Sequence, residues 1–162
     1  MKNFQGEKNR EKGNITMSEV EKAVYLYKKG FRPAQAIVSV YGVRYGMDRD
    51  AVLKLAAPFG DGVRSTGNVC GAVIGAIMVL GLKYGNSKPS EYSKKENIDE
   101  IVNDFIEKFE SMNESIKCDE LIGCNLSTEE GKNKATQENL LMNKCPKFVN
   151  DAAKILEEML ND

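Results

Sequence analysis

The sequence predicts an all-α protein, a single-domain bundle of about six or seven helices. Apolar residues recur at helical spacing in several separate segments, and no segment shows the sustained alternation of a half-buried strand. Gly, Pro, Ser and Asp residues stand between these segments, where they can end one helix or begin the next. At 162 residues the chain has the size of one ordinary domain, which can bury a core without disulfides or a metal.

The N-terminal region divides into a tail and the first helix. Residues 1–16 are rich in Lys, Asn, Glu and Gly, and we expect them to form a flexible tail. The remaining residues, 17–162, are predicted to form the helical domain. Ser18 and Glu21 have the spacing of a capping box, so the first helix is expected over about 19–29.

Two further helices are predicted from their boundary residues. Pro33 suits the first position of the second helix, because its missing N–H would have no partner there. This helix is expected to end before Gly46. Asp48 is a suitable N-cap for a short third helix that runs to about Ala57.

A glycine-rich loop and an apolar helix come next. The loop is predicted to be irregular and to let the backbone approach another group closely; its glycines are Gly60, Gly62 and Gly67. The helix after it is expected over about 68–83. Gly71 and Gly75 lie four residues apart in this helix, and alanines follow them, so they predict a small-residue face for close packing against another helix.

The C-terminal half is predicted to be helical as well. The clearest amphipathic pattern of the chain predicts a helix over about 94–113. A short turn is expected between Cys118 and Cys124, and the polar residues 127–130 resemble the start of a helix. The last helix is expected over 146–159, with a proline as its first residue.

Charge and hydropathy exclude two classes of partner. The chain has 23 basic and 24 acidic residues and a net charge of -1, without the basic surface that a nucleic-acid binder needs. The longest apolar stretch, residues 69–82, is shorter than the roughly 20 residues of a membrane span, so membrane insertion is not expected. The N-terminal residues lack the apolar core of a signal peptide, which favours a cytoplasmic location.

Cysteines carry the functional argument, because the chain has no histidine and no tryptophan. In a reducing cytosol, cysteines are more often catalytic or metal-binding than members of a disulfide framework. Two of the four are expected at helix N-termini, where backbone N–H groups favour the thiolate. They are Cys70 and Cys145, the second as the N-cap before Pro146.

Cysteine spacing by itself names no metal, since no pair has the two-residue gap typical of zinc knuckles or thioredoxin-like motifs. On an unbroken helix Cys118 and Cys124 would point away from each other. They can face one site only if the helix breaks, and Gly123 is available to break it. Four thiolates without histidine suit an iron-sulfur cluster or zinc, whereas burial as small apolar side chains stays open.

The chain resembles the C-GCAxxG-C-C family over roughly residues 17–160. The resemblance rests on three stretches, Val69-Cys70-Gly71-Ala72-Val73-Ile74-Gly75-Ala76, Cys118-Asp119-Glu120-Leu121-Ile122-Gly123-Cys124 and Cys145-Pro146-Lys147-Phe148-Val149. It implies a redox role for the four cysteines together. Many relatives have another cysteine where this chain has Pro33, so any role of a fifth thiol is absent here.

The leading hypothesis is a redox protein for electron transfer or redox sensing, with an unidentified redox partner protein. Its metal ligands would be Cys70, Cys118, Cys124 and Cys145, which hold an iron-sulfur cluster of the [2Fe-2S] type. The residues expected around the sulfurs are Gly60, Gly62, Arg64, Gly67 and Gly71, whose loop N–H groups would donate to them.

Two alternatives and the oligomeric state stay open at this stage. One alternative is a thiol-disulfide or peroxide oxidoreductase without metal, in which Cys70 or Cys145 is the catalytic thiolate. The other is a helical binding module in which the cysteines hold structural zinc or only pack in the core. A homodimer is compatible with the sequence.

Overall fold

The computed structural model describes residues 16–91 and 98–161, and these residues form an all-α bundle, which confirms the predicted fold class. Of the tail predicted over 1–16, only residue 16 is described. The predicted helical residues 94–97 also lie outside the described residues. The described part of the chain contains eight α-helices: α1 (Glu19–Lys28), α2 (Pro33–Tyr41), α3 (Arg49–Ala56), α4 (Gly71–Tyr84), α5 (Ile98–Asn113), α6 (Cys118–Ile122), α7 (Glu129–Gln137) and α8 (Leu140–Asn161).

The first three helices begin where their boundary residues predict. Ser18 and Glu21 form the capping box of α1: the Ser18 hydroxyl accepts from the Glu21 N–H at 3.1 Å, and the Glu21 carboxylate accepts from the Ser18 N–H at 2.8 Å. Pro33 is the first residue of α2. The Asp48 carboxylate caps α3 by accepting from the Ala51 N–H at 2.9 Å. Local hydrogen bonds therefore fix these boundaries.

Glycines let α4 approach α2 closely, as the small-residue face predicts. A Cβ atom at Gly75 would lie 3.0 Å from the Cα of Ala34 and 3.0 Å from the Cβ of Ile37. A Cβ atom at Gly71 would lie 2.4 Å from the backbone oxygen of Phe59, well inside van der Waals contact. A side chain at Gly75 must therefore push α4 away from α2, and one at Gly71 must displace the backbone at Phe59.

Helix α8 packs against α1, α4 and α5 and closes the core. The largest fully buried side chains come from α2, α4, α5, α6 and α8, and they include Tyr41, Leu80, Phe105, Phe109, Ile122 and Leu156. Within residues 16–91 and 98–161, no helix combines the length and the apolar character that crossing a membrane requires.

Two helix starts differ from the prediction. The last helix begins at Leu140 rather than at Pro146, after Asn139, whose φ of 49° separates it from α7. Pro146 lies inside α8, where it removes one helical hydrogen bond. The longer helix buries Leu140 and Cys145, and this burial offsets the lost bond.

The second difference concerns α4, which begins later than predicted, at Gly71 rather than at about residue 68. Val69 instead forms an isolated antiparallel bridge with Lys117, so its backbone is extended and cannot belong to the helix. This leaves Cys70 as the N-cap residue of α4.

We predict opposite effects for two glycine-to-alanine changes in α4. Gly71→Ala places a methyl group against a backbone oxygen and should lower the free energy of unfolding by about 1–3 kcal/mol. Gly81→Ala is the matched control, because apart from its chain neighbours and the nearby backbone of α4 no atom lies within 4 Å of its new Cβ; it should raise the free energy of unfolding by up to about 1 kcal/mol. Urea unfolding measures both, and equal effects would contradict the packing described here.

Candidate cysteine site

Cys70 and Cys118 are held beside each other by backbone hydrogen bonds. The Cys70 N–H donates to the Ile116 carbonyl at 2.7 Å, and the Cys118 N–H donates to the Asn68 carbonyl at 2.7 Å. These two bonds flank the antiparallel bridge between the residues that precede the cysteines. A two-residue piece of sheet pairing thus joins the start of α4 to the start of α6.

Cys145 reaches the same region from α8. It lies inside this helix and is buried, so the predicted N-cap position is wrong. The Lys144 ammonium group donates to the Ile122 carbonyl at 2.8 Å, which holds the C-terminal end of α6 against α8. Burial, followed by the charge of Cys70, raises the pKa of Cys145 to about 12, and a hydrogen bond from Tyr27 acts in the opposite direction.

The pKa values of Cys70, Cys118 and Cys145 reflect burial and the charges of neighbouring groups. Burial raises the pKa of Cys118, and negative charges on Cys70 and Cys145 raise it further. Burial also raises the pKa of Cys70, although the N–H groups of Ala72 and Val73 at the start of α4 oppose this effect. These N–H groups lower the pKa of Cys70, although its side chain accepts no capping hydrogen bond from α4.

The raised pKa values overturn one expectation from the sequence. The helix N-terminus does favour the thiolate of Cys70, but burial favours the neutral thiol more strongly. Cys145 is not at a helix N-terminus at all. Without a metal, we therefore expect all three buried cysteines to be neutral thiols at pH 7, whereas the helix positions predicted thiolates.

Cys124 occupies a different environment, one turn beyond Cys118. Gly123 ends α6 with a φ of 80°, so the predicted break at this glycine is confirmed. The Cys124 N–H donates to the Asp119 carbonyl at 3.2 Å, and its side chain packs on the core while remaining partly exposed. The fourth cysteine is thus the most accessible one.

The predicted irregular loop between residues 58 and 67 is present, and its glycines permit close contacts. A Cβ at Gly60 would meet the Arg32 side chain at 2.4 Å, and one at Gly62 would meet the Asn68 backbone nitrogen at 2.5 Å. A Cβ at Gly67 would overlap the carboxylate of Asp119. The glycines therefore let α6 and the second helix lie directly on the loop.

Loop hydrogen bonds contradict part of the predicted environment of the sulfurs. The N–H groups of residues 64–68 donate to carbonyls within residues 58–63, at 3.0–3.4 Å. They are not available to the cysteine sulfurs, although the sequence predicted such bonds. All five residues from Asp61 to Ser65 have a positive φ, so this segment is one left-handed turn, which is strained for the residues other than glycine.

Asp61 and Arg32 belong to the surroundings of the site, and the sequence did not single them out as site residues. The Arg32 guanidinium lies 3.5 Å from the Asp61 carboxylate, and the Ser65 hydroxyl donates to the same carboxylate at 3.4 Å. The negative charge of Asp61 contributes to the raised pKa values of all three buried cysteines, after burial. Arg64, which the sequence favoured, is exposed on the loop.

Tyr27 connects the cysteines to a surface cavity of about 390 Å³. Its hydroxyl donates to the Leu141 carbonyl at 2.9 Å, and Leu141 precedes Cys145 by four residues in α8. Arg32, Pro33 and Asp61 line the same cavity. In the sequence Tyr27 only continues the apolar face of α1, so no local signal marks it.

The fold and the buried thiols define an all-α protein with a cysteine-based site, and comparison with known families identifies it further. A family model described as "Putative redox-active protein (C_GCAxxG_C_C)" matches residues 31–159. The chain belongs to this family. No curated protein and no solved structure matches it.

We predict that the metal-free, reduced protein loses stability at alkaline pH. The unfolded thiols have a pKa of about 8.5, whereas the folded ones ionise at higher pH, so the unfolded state releases protons first. The free energy of unfolding should fall between about pH 8.5 and 10, by up to about 1.4 kcal/mol per pH unit for each buried thiol.

Urea unfolding at several pH values, with reductant and chelator present, measures this slope. In Cys145→Ala, the free energy of unfolding should fall less steeply with pH, by the contribution of one thiol. This holds whatever the stability of the variant at pH 7. Tyr27 and Tyr41, whose pKa values burial also raises, contribute only above about pH 10. A flat profile below pH 10 would contradict the burial of the thiols.

Proposed function

We propose that the protein is a redox protein in which Cys70, Cys118, Cys124 and Cys145 ligate an iron-sulfur cluster for electron transfer or redox sensing. The observation that carries this proposal is the backbone pairing that holds Cys70 beside Cys118, with the buried Cys145 of α8 near enough for its charge to act on Cys118. Cys124 follows six residues after Cys118. The family description as redox-active agrees with this proposal.

The donor chemistry of the site fits such a cluster. The chain offers four thiols and no histidine, and iron-sulfur clusters are held by cysteine thiolates. Within residues 16–91 and 98–161, no three Cys, Asp or Glu side chains are already arranged as a metal site. Binding of one cluster would therefore need the sulfurs to move toward one another. Cys124 can supply such a movement, because it follows the left-handed Gly123 and is partly exposed.

Electrostatics favour a metal-bound role over a metal-free thiol enzyme. An attacking cysteine needs a lowered pKa, but burial raises the pKa values of Cys70, Cys118 and Cys145. Three thiolates in a core also repel each other, and a bound cation both displaces their protons and offsets this repulsion. Burial therefore makes these cysteines poor nucleophiles when they are free, but it is compatible with their binding a metal.

The surrounding residues would set the properties of the bound group. A cluster supplies one-electron exchange when bound. The N–H groups of Ala72 and Val73 favour negative charge on Cys70, whereas the carboxylate of Asp61 disfavours it at all three buried sulfurs. Cys70, Cys118 and Cys145 are buried in the apolar core, which excludes water from their sulfurs.

Visible absorption spectra before and after dithionite test this proposal. The protein is purified without oxygen or reconstituted with iron and sulfide, and we expect charge-transfer bands that bleach on reduction. Each of the four Cys→Ser variants should lose most of its bound iron and these bands. Met112→Leu is the control, because it removes an exposed sulfur on α5 and should keep both.

Other outcomes of the same experiment select the alternatives. A colourless protein that binds zinc and resists oxidant would indicate a structural zinc site. A colourless, metal-free protein that reversibly loses two thiols with peroxide would indicate a thiol oxidoreductase. Either result would overturn the iron-sulfur proposal.

A further inference from the structure

The cavity beside Tyr27 has the size and the lining of a small-molecule site. Its volume is about 390 Å³, within the range of about 300–1,000 Å³ that is typical of ligand pockets. It lies between the connection from α1 to α2, the left-handed turn, the end of α7 and the start of α8. Among the described residues that line it, none is a cysteine, so the cavity is separate from the proposed metal ligands.

Two side chains of opposite charge line this cavity, Arg32 and Asp61. The guanidinium lies 3.5 Å from the carboxylate, which also accepts a hydrogen bond from the Ser65 hydroxyl at 3.4 Å. Both distances are longer than the distance of about 2.7–3.2 Å that is usual for a well-formed hydrogen bond. In the described part of the chain, the guanidinium has no further hydrogen-bond or ion-pair partner. Both groups therefore retain donors or acceptors for a third molecule.

The local backbone fixes where these two charges lie. Arg32 is the N-cap residue of α2, directly before the rigid Pro33. Its side chain lies on Gly60, where a Cβ atom would overlap it. Asp61 is the next residue after this glycine, and with a φ of 53° it begins the left-handed turn. A site whose charged groups are held in place loses less entropy when it binds a ligand.

Most of the remaining wall is apolar, and it includes Phe31, Pro33, Leu141 and Met142. Tyr27 fixes the α8 side of the wall, because its hydroxyl donates to the Leu141 carbonyl at 2.9 Å. An aromatic ring and a thioether both make favourable contacts with apolar and aromatic groups of a ligand. The lining thus fits a molecule that has an apolar body beside two opposite charges.

We propose that this cavity binds a small zwitterion with an apolar side chain, of which an apolar α-amino acid is the simplest. Its carboxylate pairs with Arg32, its ammonium group pairs with Asp61, and its side chain lies against the apolar wall. A ligand with a single charge fits less well, because Asp61 repels an anion at Arg32 and Arg32 repels a cation at Asp61. This inference goes beyond the proposed redox function and requires neither a metal nor a cysteine.

Isothermal titration calorimetry of the reduced full chain with phenylalanine and two of its analogues tests this charge pattern. Phenylpropanoate lacks the ammonium group, and phenylethylamine lacks the carboxylate, while both keep the ring. We expect phenylalanine to bind about tenfold more tightly than either analogue, because each analogue loses a charged hydrogen bond. Equal affinities of phenylalanine and either analogue would overturn the inference. This comparison uses the wild-type chain, so it does not depend on the folding of any variant.

Arg32→Gln and Arg64→Gln form a matched pair of variants. Both remove one guanidinium group, but Arg64 is exposed on the loop and does not line the cavity. Phenylalanine binding should weaken about tenfold in Arg32→Gln and keep the wild-type affinity in Arg64→Gln. Asp61→Asn keeps a residue that tolerates a positive φ, and in this variant phenylalanine should bind no more tightly than phenylpropanoate. An equal loss of affinity in both arginine variants would contradict a site at Arg32.

Amide chemical shifts of the wild-type chain locate the bound ligand. Millimolar phenylalanine should shift the signals of Arg32, Asp61 and Leu141, which line the cavity from three different segments. Shifts confined to other parts of the chain, or no shifts at all, would overturn the inference.

Discussion

The backbone pairing between residues 68–70 and 116–118 is the contact on which the cysteine site depends. Two hydrogen bonds of 2.7 Å join segments that are almost fifty residues apart in the chain, and a cysteine lies at one end of each segment. The pairing also fixes where α4 and α6 begin, because an extended residue precedes each start. Next to this pairing, the left-handed loop also contacts α6, because the Asp119 N–H donates to the Gly67 carbonyl at 3.1 Å. Loop strain, helix start and cysteine position are therefore coupled.

Close packing then determines the chemistry of the thiols. Gly71 and Gly75, which follow Cys70 in α4, let α2 pack closely against this helix. Helix α8, which carries Cys145, also packs against α4. Burial in this core raises the pKa values of the sulfurs more than any neighbouring dipole lowers them. A site of this kind is a poor place for a free nucleophile and a favourable one for a cation that removes the protons.

Local sequence signals predicted the helices well, because caps, prolines and apolar periodicity act within a few residues. Ser18, Pro33, Asp48 and Gly123 all mark boundaries as predicted. Cys145 was misplaced because a proline at a helix start and a proline inside a helix have the same local sequence, and only the burial of the preceding turn distinguishes them. Tyr27 and Asp61 could not be found in this way. Their importance arises from contacts with cysteines on other helices, and a single sequence carries no record of such contacts.

Proton and charge balance at the site follow from the absence of histidine in the chain. Besides the thiols, the ionisable groups that act on the sulfurs include Tyr27, which burial keeps protonated, and Asp61 and Asp119, whose negative charges oppose thiolate formation. Histidine is the side chain whose ordinary pKa lies closest to neutral pH, and the chain has none. A change of charge on the sulfurs must then be balanced by a bound cation or by fixed hydrogen-bond donors. The N–H groups of Ala72 and Val73 at the start of α4 suit the second role, since they lower the pKa of Cys70, and thiolates are ligands that soft metals prefer.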